Sequence, residues 1–216
     1  MANLLTLSRL VLLIVVARLF YVEGHVAQLV GFFLIIVMYV TDALDGYVAR
    51  KRNESSLFGS LFDIAGDRIV ELTLWIVVAD NDLVPIWVPL VFIVRGVAVD
   101  TIRASHAAAR GETPFGLMHS KLGKFIVAGK FMRVFYAVIK AVAFCGLAAI
   151  RPLPEVLPWF WAIFGAAWTA LTYASVYVSV LLCILRGLPV IVEFVYAQKD
   201  DLVRRRVTDG SRDIRH

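Results

Sequence analysis

Four aspartates in two neighbouring segments are the residues of this 216-residue chain best placed to do chemistry. The first segment reads Thr41-Asp42-Ala43-Leu44-Asp45-Gly46-Tyr47-Val48-Ala49-Arg50, and the second Gly59-Ser60-Leu61-Phe62-Asp63-Ile64-Ala65-Gly66-Asp67. Asp42 and Asp45 are three residues apart, and Asp63 and Asp67 four, so a helix puts each pair on one face. The connection between the segments is short, which makes the two helices antiparallel neighbours and lets four carboxylates converge at one end of a hairpin. In or beside a bilayer such charges repel one another and lose hydration, so something cationic must sit among them. The cluster holds no Cys and no His, and an all-oxygen donor set selects Mg²⁺ or Mn²⁺ over zinc. Two such ions about 4 Å apart polarise a phosphate and stabilise both its attacking and its leaving oxygens. Gly46, Gly59 and Gly66 keep side chains off the same faces, so a bulky polar substrate can approach the backbone. Arg50, eight residues after Asp42, lies near that face and can neutralise a diphosphate. Close helix packing would account for any one of the glycines, and a topology signal for Arg50-Lys51-Arg52. Neither accounts for four intramembrane carboxylates.

The elements that must position these residues read as membrane helices. Hydrophobic residues make up 60% of the chain and charged ones 18%, with a mean hydropathy of +0.79. A water-soluble domain of this size fills its core with less, so the excess faces a second apolar environment. Val156 to Leu185 is thirty residues without a formal charge, where about 20 suffice to cross the hydrocarbon. An all-α membrane protein with six crossings is predicted, over 5–22, 26–48, 57–79, 83–107, 124–150 and 156–184. Asp80-Asn81-Asp82 makes a tight polar turn before Pro85, and Arg151-Pro152-Leu153-Pro154-Glu155 a second one.

Arg50 to Arg52, then Arg103, Arg110, Lys121 and Lys124, then Arg186, Lys199 and Arg204 to Arg206 fall on one side of that layout with the N-terminus. The positive-inside rule makes this side cytoplasmic. The net charge of +5 therefore marks loops and does not point to nucleic acid. A membrane domain over 1–198 is followed by a charged cytoplasmic tail over 199–216, with six basic and four acidic residues. Cys145 and Cys183 sit in apolar runs with no paired spacing and read as buried small hydrophobes. After Met1–Ala17 come Arg18 and bulky aromatics in place of a small-residue cleavage site, which speaks against a cleaved signal peptide.

The pattern Asp42-x2-Asp45-Gly46-x2-Ala49-Arg50-x8-Gly59-x3-Asp63-x3-Asp67, eight fixed residues over 26 positions, resembles the signature of the CDP-alcohol phosphotransferase family without a departure. The resemblance implies a homodimer of six-helix subunits in a bacterial inner membrane, embedded among its lipids, with active sites open to the cytoplasm. It implies two Mg²⁺ or Mn²⁺ ions per subunit and, as donor, CDP-diacylglycerol. Asp42, Asp45 and Asp63 would be metal ligands, with Asp67 shared between metal binding and deprotonation of the acceptor hydroxyl. Gly46, Arg50 and Gly59 would hold the CDP portion. The acceptor oxygen would attack the lipid-bearing β-phosphorus and CMP would leave, with no covalent enzyme intermediate.

The acceptor must be read by residues outside this motif. Arg95 and Arg103 lie well inside an apolar segment and need an acidic or phosphate partner, which a phosphorylated acceptor supplies. Arg110 and Lys124 follow on the cytoplasmic side as further phosphate ligands, although headgroup contact would also explain Arg110. Asn3-x2-Thr6-x2-Arg9, Arg95-x7-Arg103 and Gly123-Lys124 resemble flanking motifs of the bacterial phosphatidylglycerophosphate synthases, while Gly96 and Phe125-Ile126 depart from them. Glycerol 3-phosphate is the expected acceptor, with inositol phosphate, inositol and serine as alternatives. A membrane transporter is the alternative of a different class, but neither internal repeats nor broken helices are evident.

Overall fold

Apolar runs separated by short polar turns form seven helices among the described residues. These are α1 (Ala2–Phe20), α2 (His25–Arg52), α3 (Leu57–Asp80), α4 (Trp87–Arg110), α5 (Lys130–Ile150), the single turn α6 (Leu153–Val156) and α7 (Pro158–Asp213). The computed structural model describes residues 2–52, 57–110 and 129–213, with the side chains of 2–5, 43–52, 57–61, 103, 106–110, 130 and 196–213 outside the description. The predicted all-α class holds, and the six long helices fall on the six predicted segments with shifted ends. The proline-rich stretch after α5 contains the helical turn α6, and α7 runs on through Lys199 to Asp213.

The turn after α3 shows how local sequence ends a helix. Asp82 adopts φ 58°, a left-handed conformation that a short polar side chain tolerates. The Leu83 amide then donates to the Val78 carbonyl at 3.0 Å and the Asp82 amide to the Ala79 carbonyl at 3.0 Å. This pair of bonds is a Schellman termination, completed by the apolar side chains of Leu83 and Val78, both buried.

The surface is apolar where a soluble protein would be polar. Ile14, Val26, Val94, Phe131 and Ile163 are each between 66% and 74% exposed, whereas Arg9 and Glu71 are 7% and 8% exposed. Apolar side chains directed outward and charged ones inward are what a lipid environment stabilises. Among the described residues three helices are long and apolar enough to cross a membrane by length and composition, over His25–Asp42, Phe131–Ile150 and Pro158–Val195. The expectation was six. Part of the difference is charge: α3 carries Asp63, Asp67, Arg68 and Glu71, and α4 carries Arg95, Asp100 and Arg103.

The chain divides into two compact units, Met1–Ile93 with Tyr136–Val180 and Val94–Phe135 with Leu181–His216. In the first, Trp75 of α3 is fully buried and lies 4.6 Å from the Phe92 ring of α4 and 4.4 Å from the Phe144 ring of α5, centroid to centroid. Helix α1 packs along both α2 and α3. Gly66 makes the approach to α3 possible, because a Cβ there would collide with Thr6 Cγ2. Gly66→Val is expected to destabilise the fold by about 1–3 kcal/mol through overpacking, read as a lower thermal midpoint in detergent. In the second unit Val99 and Val190 are fully buried against Ile102 and Ile191.

The helix ends of the first unit sort into two groups. Tyr21, just past α1, donates to Asp80 Oδ2 at the end of α3 at 2.6 Å. Arg151, just past α5, donates to Asn81 Oδ1 at 3.1 Å and to the Asn81 carbonyl. The hydrogen bond to Asp80 holds the Tyr21 phenol above its ordinary pKa. Thirteen residues of α3, about 20 Å of rise, separate this end from Asp67.

Candidate functional site

Helix α3 carries Asp63, Asp67 and Glu71 at intervals of four, which aligns them down one face. The first turns of α1 lie over that face. Thr6 Oγ1 donates to Asp63 Oδ1 at 3.4 Å. Three residues further along α1, Arg9 reaches between the two aspartate helices. Its Nη1 is 2.6 Å from Asp42 Oδ1 on α2 and 3.0 Å from Asp67 Oδ1 on α3. The Arg9 side chain is 8% exposed, against 41% for Asp42 and 52% for Asp67. The carboxylates thus open toward a free surface and the cation backs them from inside.

One turn deeper on α3, Glu71 is buried in a second charge network. Its Oε1 accepts from Lys140 Nζ of α5 at 2.8 Å and its Oε2 from Arg68 Nη1 at 3.1 Å. The Lys140 ammonium also lies 4.3 Å from the centroid of the Tyr136 ring. Removing one partner of a buried pair strands the other, so Lys140→Met is expected to destabilise the protein by about 3 kcal/mol. Adding Glu71→Gln should recover much of that loss, and unfolding midpoints of the two single variants and the double variant measure it.

The predicted site residues fall as follows. Asp42, Asp63 and Asp67 meet the first turns of α1 as described. Asp45, Gly46 and Arg50 lie on α2, and Gly59 on α3, with side chains outside the described residues. Arg103 and Arg110 lie on α4 with side chains likewise outside, and Lys124 falls outside the described residues altogether. Arg95 lies on α4 against α7 within the second unit, where a Cβ on Gly187 would come within 2.8 Å of Arg95 Cγ. Its Nε is buried without a hydrogen-bond partner. Arg9, Thr6 and Glu71 are not picked out by the aspartate spacing. The signals for them were the Asn3-x2-Thr6-x2-Arg9 stretch and the fourth-residue continuation from Asp67.

Residues 1–181 match the family model described as CDP-alcohol phosphatidyltransferase. The chain belongs to the CDP-alcohol phosphatidyltransferase family. It is therefore an enzyme of that family, and the transporter alternative is set aside. The chain is 26% identical over 197 residues to the CDP-diacylglycerol–glycerol-3-phosphate 3-phosphatidyltransferase of Rickettsia typhi, spanning 90% of this chain and 93% of the relative. The protein of the same name from Rickettsia prowazekii is also 26% identical over 197 residues, 90% of this chain and 91% of its own. That of Bacillus subtilis is 38% identical over 78 residues, 36% of this chain and 40% of its own.

The family uses divalent metal ions, and the donor set of this phosphatidyltransferase fits one. Asp42 and Asp67 both direct a carboxylate oxygen at a single cationic atom, and hard oxygens are the donors that Mg²⁺ and Mn²⁺ take. Among the described residues no three His, Cys, Asp or Glu side chains form a metal-binding group; the side chain of Asp45 lies outside them, the cation between Asp42 and Asp67 is Arg9, and Asp63 accepts from Thr6.

Proposed function

We propose that this enzyme transfers the phosphatidyl group of CDP-diacylglycerol to glycerol 3-phosphate, releasing CMP and forming phosphatidylglycerophosphate. The observation that carries the acceptor is similarity along 90% of the chain to relatives named for that reaction. Six crossings and a cytoplasmic site complete the reading, supported by six long helices and by the clustering of basic residues in alternate connections, and a homodimer is added from the family resemblance alone.

Asp42, Asp45, Asp63 and Asp67 would hold two Mg²⁺ or Mn²⁺ ions, which when bound withdraw charge from the diphosphate. Arg50 pairs with the diphosphate, and Gly46 and Gly59 leave room for the cytidine portion. Asp67 takes the proton of the acceptor hydroxyl as its oxygen bonds to the β-phosphorus. The bond from that phosphorus to the bridging oxygen breaks, and the electron pair leaves on CMP. The diphosphate is already activated, so positioning and charge neutralisation suffice.

Arg103, with Arg110 and Lys124, binds the acceptor phosphate, and Arg95 supports the site from deeper in α4. Eight residues separate Arg95 from Arg103, a rise of about 12 Å, so the two do not clamp one small phosphate together. A charge-assisted phosphate contact contributes about 1.5–3 kcal/mol. Arg103→Ala is therefore expected to raise KM for glycerol 3-phosphate by about one to two decades, with the CDP-diacylglycerol KM little changed. Acceptor titrations of wild type and R103A, run beside inositol phosphate, inositol and serine, test this. An unchanged glycerol 3-phosphate KM removes the Arg103 assignment, and better use of another alcohol replaces the acceptor.

A further inference from the structure

We infer that Arg9 is a built-in counter-ion that occupies the cation position between Asp42 and Asp67 and competes with the divalent ion for it. The inference rests on the proposed metal site at these aspartates and adds a control on its occupancy. Arg9 presents a single nitrogen, Nη1, to both carboxylates. Arginine ordinarily binds carboxylates through its planar fork, so here it acts as a point charge where a metal would stand. Its Nε is buried with no hydrogen-bond partner. A buried, unsatisfied donor is costly, and the attraction of the two carboxylates is what offsets it.

The α1 backbone is anchored beside the site at Thr6, three residues before Arg9. Thr6 bonds to Asp63, and the Thr6 methyl fills the space that the absent Cβ of Gly66 leaves. The stem of Arg9 is therefore held beside the carboxylates, and a metal taking the position between Asp42 and Asp67 would have to displace the guanidinium from it. Two consequences share one sign. Without metal, Arg9 neutralises charge that would otherwise be repulsive and poorly hydrated. With metal, the same positive charge opposes binding, so the apparent affinity is lower than the carboxylates alone would give.

The test uses the full chain in detergent, with Mn²⁺ as probe, binding read from the electron paramagnetic resonance of the free ion, and thermal midpoints in EDTA and in saturating Mn²⁺. Arg9→Gln is expected to bind Mn²⁺ about tenfold more tightly than wild type. Its midpoint should fall in EDTA and return to the wild-type value in Mn²⁺. Arg9→Lys keeps the charge on a flexible stem, should fold wherever wild type folds, and should bind Mn²⁺ with an affinity between the two. Equal or weaker Mn²⁺ binding by R9Q overturns the inference, as does a midpoint deficit of the same size with and without metal. Should R9Q fold only in Mn²⁺, that outcome supports the inference. Should it fold in neither condition, R9K decides, and an R9K affinity no tighter than wild type overturns it. Asp42→Asn separates this inference from its parent. If wild type and D42N bind Mn²⁺ alike, the metal site itself is misplaced and both fall.

Discussion

Asp67→Asn is expected to lower kcat by about 10²–10⁴-fold, the range over which a positioned general base contributes, while KM for CDP-diacylglycerol stays within about threefold. The substitution keeps the side chain's size and removes its charge and proton affinity. Asp67 is well placed for the role because its carboxylate is half exposed at the open side of the cluster while Arg9 holds its Oδ1 from behind. The structure gives the variant a defined rearrangement. Arg9 loses one of its two carboxylates and keeps Asp42 at 2.6 Å, so the fold should persist and the loss should be one of turnover. Steady-state kinetics together with the thermal midpoint check both halves. Near-normal turnover would show that Asp67 is not the base.

Metal removal should have an effect of similar size and opposite reversibility. Excess EDTA is expected to abolish CMP release, and Mg²⁺ or Mn²⁺ in excess of chelator should restore it. The protein should remain folded throughout, because Arg9 stays between Asp42 and Asp67 and limits their repulsion. CMP release and thermal unfolding followed on the same chelated and reloaded sample separate loss of chemistry from loss of fold. Full activity in excess EDTA would exclude a divalent ion from the reaction.

Much of this was legible in the sequence, for physical reasons that differ from place to place. The helices follow from hydrophobic runs long enough for a bilayer, and the turn at Asp80-Asn81-Asp82 from its polarity and the tolerance of Asp82 for a left-handed backbone. The aspartate spacing put Asp63 and Asp67 on one face of α3, as found. What spacing cannot show is a partner from a distant element. Arg9 is 58 residues from Asp67, and Lys140 is 69 from Glu71; both pairings depend on which helices pack together. Six crossings were expected, and among the described residues three helices are long and apolar enough to cross by composition alone, since helices whose inner faces carry the charge of a site do not read as apolar. The sequence called for a cation among the carboxylates and pointed to a metal without singling out Arg9, whereas the fold brings that arginine to two of them.

The measurement that tests the central claim most directly is a single reaction with purified protein in detergent, Mg²⁺, CDP-diacylglycerol and labelled glycerol 3-phosphate. The proposed function requires CMP and labelled phosphatidylglycerophosphate to appear in equal amounts, with no CMP released when the acceptor is left out. CMP without labelled lipid, or no CMP at all from folded, metal-loaded protein, would contradict it.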